Sequence, residues 1–186
     1  DDLKRLNAKW VAWIPSAFCD ANNGNLKHGI SWQWIGETNI GTIKAIELAR
    51  KKGLKVMLKP HVWMSDHSFT GKVKFEAVQW KDWQKGYTEY ILNFARLAEE
   101  NEVELFCLGT EHHSSISHDK VYWLGLIDEV RKVYKGKITY AANWDSYDKI
   151  PFWNKLDYIG IDAYFPLSES AQPSVKELEG KWLDWK

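Results

Sequence analysis

The sequence predicts an α/β fold, a (β/α)8 barrel of which about five strand and helix units are present in these 186 residues. Three observations lead to this prediction. Five short apolar runs are separated by segments with helical periodicity, which is typical of a parallel sheet covered on its faces. Polar or aromatic clusters follow the runs, at the strand ends where barrels place their functional groups. The chain contains no GxGxxG turn of the kind that favours a doubly wound sheet.

The five short apolar runs are the predicted buried strands. They are Trp10–Ile14, Lys55–Leu58, Leu105–Leu108, Ile138–Ala142 and Tyr158–Ile161.

Helices are predicted between these strands. Apolar residues at steps of three and four form one stripe from Trp80 to Leu97, and the pattern recurs from about His118 to Tyr134. A third helix is predicted from about Asn39 to Lys52, closed by Gly53. The chain opens in what is predicted to be a helix end, Asp1–Leu6, and closes in the start of another, Ser174–Trp185.

A complete barrel typically takes about 250 residues. We therefore interpret residues 1–186 as one domain that holds part of a barrel.

Composition limits the possible partners. Lys plus Arg equals Asp plus Glu at 25 each, so no net charge attracts nucleic acid or an anionic membrane. The sequence contains no run of 18 apolar residues, so no membrane span is predicted. No obligate protein partner is evident. The twelve Trp residues suit a neutral sugar ligand, although packing explains most aromatic residues in proteins. Cys19 and Cys107 are too few and too widely spaced for a disulfide framework or a metal knuckle.

Glu111 is the strongest candidate for a catalytic residue. It ends the apolar run that begins at Leu105, and an ionised carboxylate is costly in such a setting unless it is paired. A partly desolvated Glu has a raised pKa, and it can then protonate a glycosidic oxygen. The alternative is a structural role, either at the start of the next helix or as an ion-pair partner of Lys59.

Further candidates for substrate binding follow the other strands. Lys59, His61 and Trp63 alternate and therefore share one face of an extended segment. Each of Lys59 and His61 could equally be structural, Lys59 by neutralising a carboxylate and His61 as a core residue. Additional candidates of lower rank end the last two strands: Asn143, Trp144, Asp162 and Tyr164. The aromatic residues on the helical stripes are assigned to the core: Trp80, Trp83, Tyr87, Tyr90 and Trp123.

A metal site is disfavoured, and no cofactor is predicted. His61, Glu111, His112, His113 and Asp162 have suitable ligand chemistry, but no HExxH or HxH spacing is present. Adjacent residues on a strand would also point to opposite sides.

Four segments resemble the strand segments of the family 113 β-mannanases, in that family's order. They are Lys55–His61, Phe106–Glu111, Thr139–Asp145 and Asp157–Pro166. The resemblance covers almost the whole chain and implies a retaining glycoside hydrolase with a (β/α)8 barrel. It implies a substrate of mannan or manno-oligosaccharides, and it places Glu111 where the family keeps its acid/base, on the fourth barrel strand.

The resemblance also implies what this sequence lacks. The family's nucleophile is a Glu on the seventh strand, which we expect beyond Lys186, and the first and eighth strands are likewise expected outside the chain. Residues 1–186 alone are therefore expected to turn over no mannan. His112 departs from the apolar residue expected there. Two alternatives stay open: a glycan-binding barrel without chemistry, and a metal-dependent hydrolase. A polymeric substrate would imply a secreted or periplasmic protein.

Overall fold

The computed structural model describes residues 2–185, apart from the side chain of Lys4, and it confirms the predicted parallel sheet. Five strands form this sheet in the order β1-β4-β6-β7-β8, and every neighbouring pair is parallel. In chain order the strands are β1 Trp10–Trp13, β2 Ser16–Cys19, β3 Leu26–Lys27, β4 Lys55–Leu58, β5 His61–Met64, β6 Leu105–Thr110, β7 Lys137–Asn143 and β8 Gly160–Asp162.

The helices are α1 Asp2–Arg5, α2 Asn39–Lys51, α3 Ala77–Glu100, α4 His113–His118, α5 Lys120–Val133 and α6 Val175–Leu183. The predicted helices around α2, α3 and α6 are present, and α1 matches the predicted opening helix apart from Asp1, which lies outside the described residues. Between residues 2 and 185 no helix has both the length and the apolar character to cross a membrane.

Two predicted boundaries were wrong. The helix predicted from about His118 to Tyr134 begins two residues later, at Lys120, because Asp119 is extended and its side chain accepts the Tyr122 N–H and so starts α5. The last strand begins two residues later than predicted. The carboxylate of Asp157 takes the N–H of Ile138 at 2.9 Å, and strand pairing begins only at Gly160.

Two prolines divide the chain between the barrel sheet and a smaller sheet of order β3-β2-β5. β1 and β4 pair in parallel, and their continuations β2 and β5 pair again after Pro15 and Pro60. Proline has no N–H to donate, so the ladder is interrupted at these positions. The Pro15 carbonyl oxygen still accepts the N–H of His61 at 2.9 Å, and it accepts the hydroxyl of Tyr90 on α3 at 2.8 Å, so the two chain segments stay joined across the prolines. The extended conformation predicted for Lys59, His61 and Trp63 is therefore kept.

The core lies between the sheet and helices α3 and α5, and it is unusually aromatic. Every helical aromatic residue assigned to the core is buried there. Their rings pack in edge-to-face and stacked pairs; Trp83 and Tyr87, for example, stack with centroids 4.5 Å apart. This rigid layer supports the carboxyl ends of the strands, where the candidate site lies.

Candidate active site

A cavity of about 440 Å³ opens at the carboxyl ends of the strands, and it contains six of the eight predicted site residues. The six are Lys59, His61, Trp63, Glu111, Asp162 and Tyr164. They come from three different segments of the chain, so only the barrel topology brings them together. A larger cavity of about 590 Å³ lies between residues 166–169 and α6, and none of the predicted site residues lines it.

A β-bulge in β6 directs Glu111 into the cavity. Cys107 pairs with Thr139 and Thr110 pairs with Ala141, so β6 carries one more residue than β7 over this stretch. Bulges redirect side chains and are frequent beside active sites. Gly109 lies inside the bulge, and a Cβ on it would come within 2.9 Å of Tyr140 Cε2. The bulge therefore requires glycine.

The backbone of Glu111 adopts a left-handed conformation, with φ +57°. Few residues other than glycine do so, and such positions are concentrated at functional sites. Two hydrogen bonds hold it in place. The N–H of Glu111 donates to the Ala141 carbonyl at 2.8 Å, and the next N–H, of His112, donates to the buried Tyr140 hydroxyl at 2.6 Å.

Gly109→Ala is expected to lower the free energy of unfolding by about 2 kcal/mol, in the range typical of overpacked cores. The added methyl group would also lie 2.9 Å from Tyr87 Oη and 3.0 Å from Trp123 Cη2, and both rings are fully buried. Urea unfolding measures the change. Gly125→Ala is the matched control, because Gly125 lies on exposed α5 surface with nothing within 4 Å, and there alanine should stabilise the helix. Equal stabilities of the two variants would contradict the prediction.

The main cavity holds one ion pair and a further acidic side chain beside it. Lys59 Nζ lies 2.8 and 3.0 Å from the two carboxylate oxygens of Asp162, and both side chains are largely buried. Glu111 is half-buried beside this pair. Burial raises the pKa of Glu111 above its ordinary value, and the charge of Asp162 raises it further, while Lys59 acts in the opposite direction. A carboxyl group in this environment holds its proton to a higher pH than an exposed one.

His61, Trp63 and Tyr164 provide neutral surface around these charges. Burial lowers the pKa of His61, and the neighbouring Lys59 lowers it further, so the imidazole stays neutral over a wider pH range. A neutral imidazole offers one hydrogen-bond donor and one acceptor. The Trp63 side chain is 54% exposed and that of Tyr164 is 80% exposed, so their flat faces are free to contact a ligand.

Asn143 and Trp144 lie apart from this group. Asn143 lines a neighbouring cavity of about 230 Å³ with Phe69 and His113, and its side-chain oxygen accepts the Trp144 N–H. The Trp144 ring packs against Phe165 and Trp185, with centroids 6.4 and 5.8 Å away. The structure therefore gives Trp144 a packing role and places Asn143 at the edge of the strand-end region.

Four residues line the main cavity that were not among the candidates: Ile14, Ser16, Glu37 and Thr110. Ser16 and Thr110 lie in the clusters that follow the predicted strands Trp10–Ile14 and Leu105–Leu108, so the same rule could have found them. Glu37 lies in a 3-10 helix, Ile35–Glu37, whose contact with the cavity no local pattern indicates. Its carboxylate accepts a hydrogen bond from Gln33, 3.2 Å away.

Three of the five candidate metal ligands, His61, Glu111 and Asp162, line the main cavity, but they are not grouped as a metal site. Within residues 2–185 no group of three or more His, Cys, Asp and Glu side chains is placed to hold a metal ion. His112 and His113 are not on the strand as expected: His112 is buried in the aromatic core, and His113 starts α4 and lines the smaller cavity.

Comparison with solved structures shows what this arrangement is similar to. The GH113 β-mannanase AaManA from Alicyclobacillus acidocaldarius, in complex with ManMIm, aligns with a TM-score of 0.80 and 26% identity over 89% of this chain and 55% of its own. A complex of a GH113 β-1,4-mannanase aligns with a TM-score of 0.81 and 26% identity, over 98% of this chain and 59% of its own. A further GH113 β-1,4-mannanase structure aligns with a TM-score of 0.79 and 27% identity, over 89% of this chain and 55% of its own. None of the curated proteins compared with the chain matches it.

The similarity extends over the whole sheet and its helices. The chain spans 55–59% of the length of the three solved structures, and its five parallel strands correspond to part of a (β/α)8 barrel. The family description of Glycoside Hydrolase Family 113 matches residues 1–182. The chain belongs to Glycoside Hydrolase Family 113.

Proposed function

We propose that the protein carrying this chain is a retaining, endo-acting β-1,4-mannanase in which Glu111 is the general acid/base. The observation that carries the proposal is the position of Glu111. It is a half-buried carboxyl group with a raised pKa, at the end of a barrel strand, in a cavity lined by exposed aromatic rings. The substrate is proposed from the family and from the β-1,4-mannanase neighbours.

Hydrolysis then proceeds by double displacement. In the first step, the Glu111 carboxyl donates its proton to the glycosidic oxygen as the leaving sugar departs. A second carboxylate, about 5.5 Å away in retaining enzymes, attacks the anomeric carbon. We place this nucleophile on a strand outside residues 1–186. In the second step, the Glu111 carboxylate takes a proton from water, whose oxygen displaces the nucleophile and releases the product.

The surrounding residues position the sugar. Trp63 and Tyr164 offer exposed rings on which pyranose faces can stack, and the neutral imidazole of His61 can exchange hydrogen bonds with sugar hydroxyls. Asn143, in the adjoining cavity, is proposed to contact a neighbouring sugar unit. No step in this mechanism requires a cofactor.

The test is hydrolysis of β-1,4-mannan by the protein that contains this chain together with the remaining strands of the family's barrel. We expect release of reducing sugars, and the first product should have the β configuration in proton NMR spectra. An α product would exclude double displacement. Binding of mannan without hydrolysis would instead indicate a glycan-binding barrel. Activity that vanished with a chelator and returned with zinc would indicate a metal-dependent hydrolase.

A further inference from the structure

Glu111 and Asp162 bring two carboxyl groups together at the ends of β6 and β8. Both side chains line the same cavity, and the negative charge of Asp162 favours the protonated form of Glu111. Two neighbouring carboxylates repel each other, so one of the pair keeps its proton to a higher pH than an isolated carboxyl group does. The question is which of the two residues holds it.

Lys59 breaks the symmetry between the two acids. Its ammonium group lies 2.8 and 3.0 Å from the two oxygens of Asp162, so it contacts both ends of that carboxylate. The Lys59 and Asp162 side chains are only 14% and 21% exposed, so water screens this pair weakly. An ion pair of this geometry stabilises the ionised form of Asp162. The proton therefore belongs to Glu111.

We propose that Asp162 and Lys59 are a positioning pair that keeps the catalytic proton on Glu111, rather than direct ligands of the sugar. This inference rests on the proposed acid/base role of Glu111. It also explains how one residue serves both steps. Before the first step, the ionised Asp162 holds the Glu111 proton in place. After that proton has left, the repulsion between the two carboxylates makes Glu111 a stronger base toward water.

Other charged groups face Glu111 from the neighbouring segments. Asp145, which follows β7, raises the pKa of Glu111 but is exposed to solvent. Glu37 and His61 line the same cavity from the 3-10 helix and from β5. Asp145 favours the protonated form of Glu111, whereas Lys59 opposes it. Because Lys59 contacts both oxygens of Asp162, its main effect is on that residue.

Carbon-13 NMR of the labelled Glu side chains tests the proposal by following the titration of the Glu111 carboxyl group in the complete protein. In Asp162→Asn, the Glu111 midpoint is expected to fall by about one pH unit, as expected for loss of a charged neighbour. The alkaline limb of the pH profile for mannan hydrolysis should move to lower pH by the same amount. The matched control is Asp145→Asn, where an exposed carboxylate is removed and a smaller shift is expected.

A Glu111 midpoint that is unchanged in Asp162→Asn, or that moves as much in Asp145→Asn, would overturn the proposal. If Asp162→Asn fails to fold because Lys59 is left without its partner, the double variant Lys59→Gln/Asp162→Asn provides the second test, since it removes both charges. The Glu111 midpoint should still fall, because Asp162 raises the pKa of Glu111 by more than Lys59 lowers it; a Glu111 midpoint that stayed unchanged or rose would also overturn the proposal. The titration needs no substrate. A Glu111 shift without mannan hydrolysis would therefore refute the proposed function alone.

Discussion

Glu111→Gln is expected to lower kcat/KM for β-1,4-mannan by about a thousandfold, in the range found for general acid catalysis. The free energy of the transition state would rise by about 4 kcal/mol. Glutamine has nearly the same shape as glutamic acid but carries no proton that it can transfer. The left-handed backbone and the hydrogen bond from the Glu111 N–H to Ala141 do not depend on the side chain, so the fold should be kept.

The choice of substrate separates an acid role from a structural one. An activated aryl mannoside has a leaving group that departs without protonation, so its first, glycosylation step should be almost unaffected in Glu111→Gln. Pre-steady-state kinetics measure that step directly. Glu100→Gln is the matched control, because Glu100 is exposed at the end of α3. An equal loss on mannan and on the aryl mannoside, with the fold intact, would contradict an acid role.

Much of this site could be predicted from the sequence, because its main signals are local. Glu111 stands out as a carboxylate that ends an apolar run, and the period of two along Lys59, His61 and Trp63 places them on one face. The rule that parallel strands collect functional groups at their carboxyl ends then brings these segments together. Six of the eight candidates line one cavity at that end of the sheet.

The rest of the site could not be predicted from the sequence, because it depends on contacts between distant parts of the chain. The bulge at Gly109 exists because the rings of Tyr87, Trp123 and Tyr140 leave no room for a side chain, and those residues come from three different elements. Trp144 does not line the main cavity, and its ring packs against that of Trp185, 41 positions along the chain, with the centroids 5.8 Å apart. Neither contact leaves a periodic signal. The same applies to Glu37, which reaches the cavity from a short 3-10 helix.

His112 was the residue expected to be apolar, and its surroundings agree with that expectation. The side chain is 1% exposed and lies among aromatic rings, with centroid distances of 4.9 Å to Tyr87 and 5.4 Å to Trp83. Among the described residues, its Nε2 atom has no hydrogen-bond partner. Burial lowers the pKa of His112 from its ordinary value of 6.5 to about 3, and the nearby His61 contributes in the same direction. His112 therefore binds a proton more weakly in the folded protein than in the unfolded chain.

This difference makes the protein sensitive to acid. Above pH 6.5 His112 is neutral in both states, whereas between pH 6.5 and about 3 only the unfolded chain binds the proton. As the pH falls through this window, the free energy of unfolding should therefore decrease by about 1.4 kcal/mol per pH unit, or about 5 kcal/mol in total. The contribution of His112 should level off below pH 3, where the folded state is protonated as well.

Urea unfolding at pH 7 and pH 4.5 measures this effect in the native protein and in His112→Leu. Leucine is apolar and has a similar volume, so the variant should lose about 3 kcal/mol less between these pH values than the native protein. The matched control, His67→Asn, removes an exposed imidazole at a left-handed position that asparagine tolerates, and it should keep the native pH dependence. An acid-induced loss of the same size in His112→Leu would show that other groups are responsible. A flattened profile would identify His112, one residue after Glu111, as the group that limits the acid stability of the protein.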